Sequence, residues 1–178
     1  MDNGRISVRY ARALFQVAQE QGCEAAVYDG LTHFAHNYLM AISQFNEVLT
    51  NPILPKDEKA KLLKLAVGEP IHDCLKQFIN FVTEQHREDK MFFIAMKYME
   101  MYRAKHNILN TQLTTATELP EATLEKIKTY VEQTFSAEVE MDIHIDPSLI
   151  GGFVLDIENT RMDASVIGQL NALKNKLK

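Results

Sequence analysis

The residues able to do chemistry are few and scattered. His33 and His36 are three apart, so on a helix they share a face, a spacing at which two imidazoles can hold one metal ion. No third ligand stands near them in the sequence, and they are read as surface or capping histidines. Asp156, Glu158 and Asp163 form a loose acidic cluster, the residue type that general acid–base work requires. Asp156 and Glu158 are two apart on an expected strand, which puts them on its wet face as solvated surface. Cys74 falls on the apolar side of an expected helix, where a thiol packs rather than attacks. Cys23 and Cys74 are the only cysteines, too few for a disulfide framework. They are read as reduced and buried in a cytosolic-side protein, with a single bridge between them as the alternative. Met91, Met96, Met99 and Met101 sit on a segment apolar almost all round and are read as core, with an adaptable Met-rich binding surface as the alternative. The sequence holds no GxxxxGK[ST], GxGxxG, HExxH, CxxC or GxSxG. Nothing in it argues for a catalytic, cofactor-binding or metal site.

The rest of the composition bounds what those residues can belong to. The 178 residues, 46% hydrophobic and 24% charged, suffice for one medium domain or two small ones with real cores. No run of 18 uncharged apolar residues is present to span a bilayer, and the opening residues lack the basic flank and apolar run of a secretory signal. Residues 1–107 hold 13 basic and 13 acidic side chains, whereas 108–178 hold 6 and 11, so the whole net charge of −5 lies in the last seventy residues. An acidic surface repels phosphate backbones, which argues against nucleic acid as a partner. A basic partner for the C-terminal region, or simply a soluble acidic surface, fits that charge.

Hydrophobic periodicity divides the chain near residue 107. Up to about His106 it is helical, with breaks at Gly22, at 51–55, at Gly68 to Pro70 and around 87–89. Helices are expected near 6–21, 23–43, 56–67, 71–85 and 89–106, with a short turn of helix near 44–50, making an N-terminal six-helix bundle over 1–106. From 107 to 178 the pattern is mixed. Thr111 to Thr117 is β-branched and reads as a strand. Pro120 opens a helix with Leu124, Ile127, Val131 and Phe135 on one stripe. In Ala137 to Asp146, the apolar Val139, Met141, Ile143 and Ile145 alternate with Glu138, Glu140, Asp142 and His144, which predicts one buried and one wet face. Gly151 and Gly152 allow a tight turn before the alternating Phe153, Leu155 and Ile157. Asp163 is placed to N-cap a final helix with Val166, Leu170, Leu173 and Leu177 on one stripe. The expected class is therefore mainly α with a smaller α/β domain of order β-α-β-β-α.

Two helices carry more apolar surface than a core contact needs. On a wheel, Tyr10, Ala11, Ala13, Leu14, Phe15, Val17 and Ala18 cover roughly 200° of the first helix, about twice the usual width. Ile71, Cys74, Leu75, Phe78, Ile79, Phe81 and Val82 cover about 160° of the fifth, with Phe81 at the edge. Either these helices are sandwiched inside the bundle, or side by side they form a groove for an amphipathic helix of a partner.

Three stretches resemble one family. R-Y-A-R-A-L-F-x-x-A, from Arg9 to Ala18, resembles the opening of the delta subunit of bacterial F-type ATP synthases, the family of the oligomycin-sensitivity-conferring protein. Asn51-Pro52 before a lysine-bearing helix is similar to that family's middle. I-D-P-S-L-I-G-G-F-V-L-D-I, from Ile145 to Ile157, and M-D-A-S-V-I-G-Q-L-N-A-L, from Met162 to Leu173, are similar to its C-terminal signature and are the specific portion of the match. Ala164 stands where glycine is common and Met162 where isoleucine or valine is common. The resemblance covers the whole chain. It implies a non-catalytic stator subunit without cofactor or metal, present as one copy in a large hetero-oligomer. Residues 1–106 would grip N-terminal helices of alpha subunits at the catalytic head, and residues 107–178 would hold the C-terminal end of subunit b. It implies a peripheral place on the cytoplasmic face of the bacterial inner membrane. The gripping groove would comprise Tyr10, Ala13, Leu14, Val17, Phe78, Phe81 and Val82. Gly151, Gly152, Asp163 and Ser165 would support the fold through backbone and capping geometry. The alternative is a generic helix-binding adaptor.

Overall fold

The computed structural model describes residues 3–176 apart from Ala41, Pro52 and Asn159. The order is α1 (Asn3–Glu20), α2 (Glu24–Met40), α3 (Ile42–Thr50), α4 (Lys56–Val67), α5 (Asp73–Glu84), a 3-10 turn at Glu88–Lys90, and α6 (Met91–His106). Then follow β1 (Ile108–Thr115), α7 (Glu121–Phe135), β2 (Glu138–Ile145), a 3-10 turn at Pro147–Leu149, β3 (Phe153–Ile157), β4 (Thr160–Asp163) and α8 (Val166–Lys176). The chain is mostly helical with a small mixed sheet. It divides into two compact units, Met1–Tyr102 and Arg103–Lys178, so the division falls inside α6 and not after it.

Local chemistry sets the ends of the helices. Gly22 at φ 65 closes α1: its N–H donates to the Gln19 carbonyl and the Cys23 N–H to that of Ala18, the paired bonds of a left-handed C-terminal cap. Pro55 opens α4 with Asp57 and Glu58 in the first turn, and Gly68 at φ 83 stops it. The His72 Nδ1 accepts the Cys74 N–H at 3.3 Å and caps α5, so Ile71 lies outside that helix. The expected helix over 23–43 ends at Met40, and a separate nine-residue α3 replaces the single turn expected near 44–50. No proline or glycine marks that break, which is why periodicity runs across it; Ala41 lies outside the described residues.

The N-terminal unit has one core. Leu14, Leu31, Phe34, Leu63, Leu75, Ile79, Met91, Ile94 and Tyr98 are its largest fully or nearly fully buried side chains. The Tyr98 hydroxyl donates to the Glu24 carbonyl at 3.1 Å, its ring meets Phe15 edge-on at 5.4 Å, and burial pushes its pKa well above the usual tyrosine range. Met91 and Met99 are core as expected, whereas Met96 is exposed beside the exposed Phe93, because α6 is covered on one side only. Asn37 Nδ2 donates to the Ala66 carbonyl at 2.8 Å and ties α2 to α4. Among the described residues one ion pair is buried: Lys59 Nζ lies 2.7 Å from Glu88 Oε1 and also donates to the Leu49 carbonyl at 2.7 Å, joining α4, α3 and the turn before α6.

The C-terminal unit is a four-stranded sheet of order β2-β1-β3-β4, with β1–β2 parallel and the other pairs antiparallel. Asn107, at φ 55, turns the chain directly from α6 into β1, which begins at Ile108 and not at Thr111 because it pairs with β2 from Glu138 onward. Helix α7 crosses over one face, where Leu113, Val131, Val139, Leu155 and Ile157 form the core. Strand β4 is absent from the expected order: it is four residues long, each of them exposed, and so shows no alternation. The unit is thus β-α-β-β-β-α. Three apolar stripes are less buried than their patterns predict. Ile143 and Ile145 are exposed because β2 is an edge strand whose outer half α7 does not reach; Phe135 is exposed at the end of α7; Val166 and Leu170 are exposed on α8. The side chain of Leu173 and all of Leu177 lie outside the described residues. Arg103 Nε donates to Glu140 Oε2 at 2.9 Å within this unit.

Lys59→Met should destabilise the chain by about 3–5 kcal/mol, because it strands the Glu88 carboxylate and the Leu49 carbonyl away from water. Lys59→Met/Glu88→Leu should recover most of that loss. Urea denaturation followed by circular dichroism reads both, and equal losses for single and double variants would show that the charge pair is not what matters there.

Candidate functional site

Helices α1 and α5 pack antiparallel: Tyr10, near the middle of α1, meets Phe81 near the end of α5, with ring centroids 5.9 Å apart. Cys23, just after α1, stands beside Cys74 at the start of α5. Between the two helices lies a groove of about 420 Å³ lined by Arg9, Tyr10, Ala13, Leu14, Val17, Cys74, Gln77, Phe78 and Phe81. Six of the seven expected groove residues are thereby brought together. Val82 is the correction. It is fully buried and faces the core, since one step of about 100° beyond Phe81 turns a side chain from the edge of the groove to the interior.

The six do not contribute alike. Leu14 and Phe78 are 2% and 9% exposed and form the floor, with their surface already committed to the core. Val17 and Phe81, at 42% and 47%, and half-buried Tyr10 form the walls, and Ala13 leaves room between them. The wide arc of α1 is therefore divided: Ala11, Leu14, Phe15 and Ala18 face inward, and Tyr10, Ala13 and Val17 face the groove. Arg9, Cys74 and Gln77 are lining residues beyond the expected set. The helical wheel puts Arg9 on the polar arc, but its guanidinium reaches back to within 5.8 Å of the Tyr10 ring.

The groove is apolar and holds no activated group. Burial pushes the Cys74 thiol from 9.0 up to about 11, and the adjacent Cys23 thiol acts in the same sense. At neutral pH it stays protonated and a poor nucleophile. Both cysteines are free and buried. His33 and His36 are exposed on α2, and no group of metal-holding residues is found among the described residues.

Two of the three acidic residues are occupied by local structure, whereas Glu158 is exposed in the turn after β3, at φ 45, and not on the strand's wet face beside Asp156. Asp156 pairs with Arg161 across β3 and β4, with Oδ1 and Nε 3.7 Å apart. Asp163, the expected cap of α8, is instead the last residue of β4, and Ser165 is the cap. Ser165 Oγ accepts the Gly168 N–H at 2.9 Å, while the Ser165 N–H and hydroxyl both donate to Asp163 Oδ1, at 2.9 and 2.6 Å. Those bonds hold the Asp163 carboxyl below the usual carboxylate range. Gly151 and Gly152 sit against the same segment. The Gly151 carbonyl accepts the Val166 N–H, the Phe153 carbonyl accepts the Ala164 N–H, and a Cβ on Gly152, at φ 77, would lie 2.3 Å from the Ala164 oxygen. Two sequence segments about twelve residues apart thus form one interlocked joint between β3, β4 and α8.

The family model described as ATP synthase delta (OSCP) subunit matches residues 6–177. Among curated proteins, the ATP synthase subunit delta of Phocaeicola vulgatus is 36% identical over 174 residues, covering 97% of this chain and 94% of that protein. The subunit of the same description from Moorella thermoacetica is 31% identical over 178 residues, covering 100% and 99%. A chain in the cryo-EM structure of the Toxoplasma gondii mitochondrial ATP synthase hexamer superposes with a TM-score of 0.71 at 23% identity, over 96% of each chain, which speaks for the fold alone.

Val82→Asp should cost at least about 3 kcal/mol of stability, because it buries an unpaired charge. Phe81→Asp, one residue away, should cost about 1 kcal/mol, since only half of that ring is covered. Equal losses in urea denaturation would make Phe81 core. Gly152→Ala should destabilise the C-terminal joint by more than about 2 kcal/mol through its positive φ and the clash with Ala164. Faster amide exchange confined to β3, β4 and α8 would report it.

Proposed function

Because the chain belongs to the ATP synthase delta (OSCP) subunit family, we propose that it is the non-catalytic stator subunit that links the catalytic head of an F-type ATP synthase to its peripheral stalk. The observation that carries this reading is the α1–α5 groove: an apolar trough with a committed floor and uncovered aromatic walls, the shape that takes one amphipathic helix. In this reading the occupant is an N-terminal helix of an alpha subunit. Tyr10, Ala13, Val17 and Phe81 contact it over the floor of Leu14 and Phe78.

The C-terminal unit holds the end of subunit b. Two features support this. The edge strand β2 presents Ile143 and Ile145, and Met162, Val166 and Leu170 add further exposed apolar surface in the same unit. The acidic excess of residues 108–178 favours a basic partner segment. The working place is the cytoplasmic face of the bacterial inner membrane. Among the described residues no helix is long and apolar enough to cross a bilayer, so attachment runs through the other subunits.

A synthetic peptide of the alpha-subunit N-terminal segment should bind the full chain, and Phe81→Asp should abolish binding while the chain stays folded, because docking would desolvate an unpaired charge. Binding to the subunit b C-terminal segment should weaken as salt rises and should be unaffected by Phe81→Asp. A folded Phe81→Asp variant that takes the alpha peptide normally would place the head contact elsewhere. Recovery of other proteins in place of ATP synthase subunits, in a pull-down from native membranes, would sink the stator reading.

A further inference from the structure

Arg5, Arg9 and Arg12 stand at i, i+4 and i+7 on α1 and so lie along one side of it. That side borders the groove. Arg9 lines the groove itself and also an adjoining trough of about 410 Å³ lined by Gly4, Arg5, Val8 and Arg12, so cationic and apolar surface run together. All three arginines are exposed, and none is in an ion pair among the described residues. From Asn3 through Gln19 the helix has no carboxylate at all. Arg5, near its start, opposes the positive end of its own helix dipole, where an acidic residue would serve stability better. The requirements of the fold therefore do not explain this stripe. Across the groove no cation of α5 enters the lining: Gln77 is neutral, and Lys76 stands outside the lining with its Nζ 3.1 Å from Asp73 Oδ1.

Resting on the reading of the groove as a helix dock, we propose that it selects a helix with carboxylates along the flank that faces α1, and that Arg5, Arg9 and Arg12 recognise them. The apolar stripe of the ligand fills the space over Leu14 and Phe78, and its acidic flank neutralises the exposed arginine edge. Arginine suits this role because its planar fork can grip a carboxylate with two hydrogen bonds. A polyphosphate or a lipid surface would use the arginines but leave the concave apolar trough uncovered.

The test uses the full-length chain and three designed helical peptides with the same Leu/Phe stripe, differing only in having Glu, Gln or Lys on one flank. Affinity is measured by fluorescence anisotropy. At low salt the Glu peptide should bind about tenfold more tightly than the Gln peptide, and the Lys peptide more weakly than either; the spread should collapse at about 0.5 M salt. The triple variant Arg5→Gln/Arg9→Gln/Arg12→Gln should bring the Glu peptide to the affinity of the Gln peptide and leave the latter unchanged. Equal affinities for Glu and Gln peptides overturn the arginine assignment while the groove reading stands. If no peptide binds, or if Phe81→Asp leaves Gln-peptide binding intact, the groove reading itself fails. Arginine-dependent binding to phosphatidylglycerol vesicles, with no preference among peptides, would assign the stripe to a membrane instead.

Discussion

Ala11, Leu14, Phe15 and Ala18 are the stripe by which α1 is packed into its unit, at 0 to 7% exposure, and the small size of the two alanines lets α1 lie close on α2 and α5. Burying Leu14 and Phe15 contributes about 1.5–3 kcal/mol each, so the orientation of α1 about its axis is fixed by that stripe. Once it is fixed, Tyr10, Ala13 and Val17 have to point outward beside α5, because helical geometry places them one step further round. The groove follows from the core: the same turn of helix that seals one side opens the other. Phe78 repeats the arrangement on α5, with Val82 and Ile79 sealed inside and Phe81 left at the edge. A substitution in the floor therefore changes stability and groove shape together, while one in a wall changes mainly the groove and stability much less.

Polar groups in both units are used to hold geometry. Lys59 and Glu88 neutralise each other in a place where either alone would be costly, and Lys59 gives a further hydrogen bond to the end of α3. In the C-terminal unit Asp163 organises Ser165, Ser165 caps α8, and the glycine pair admits the Ala164 carbonyl at a distance that no side chain would allow. Asp163 and Ser165, which a motif search would flag as acidic or nucleophilic, are thus occupied with the backbone. Cys74 shows the same tendency, since burial beside Cys23 keeps its thiol protonated.

The sheet shows how an alternating pattern can overstate burial. Val139 and Ile143 look equivalent in the sequence, but Val139 lies under α7 and is buried, while Ile143, four residues on, lies beyond its reach. A period of two reports which face a residue is on, and not whether anything covers that face. The apolar residues left open on β2 and α8 are in the same position as those of the groove: the pattern that folds the unit also leaves surface unpartnered within it.

The sequence by itself determined the change from helical to alternating periodicity near residue 107, the places where glycine or proline ends a helix, the excess apolar arcs of α1 and α5, and the motifs shared with the family. These are local properties, written in spacing and in the backbone freedom of single residues. It could not determine the division between α2 and α3, where no residue type interrupts the pattern, or β4, whose residues are all exposed. Nor could it say how much of the α5 arc is covered, from Val82 within it to Phe81 at its edge, or tell Ser165 from Asp163 as the cap of α8. Those distinctions depend on which neighbour arrives from elsewhere in the chain. Phe81 is a wall because α1 lies beside it at Tyr10, and Val82 is core because the interior of the bundle closes over it. Only the tertiary structure supplies that neighbour, since burial is a property of two surfaces and a sequence lists one residue at a time.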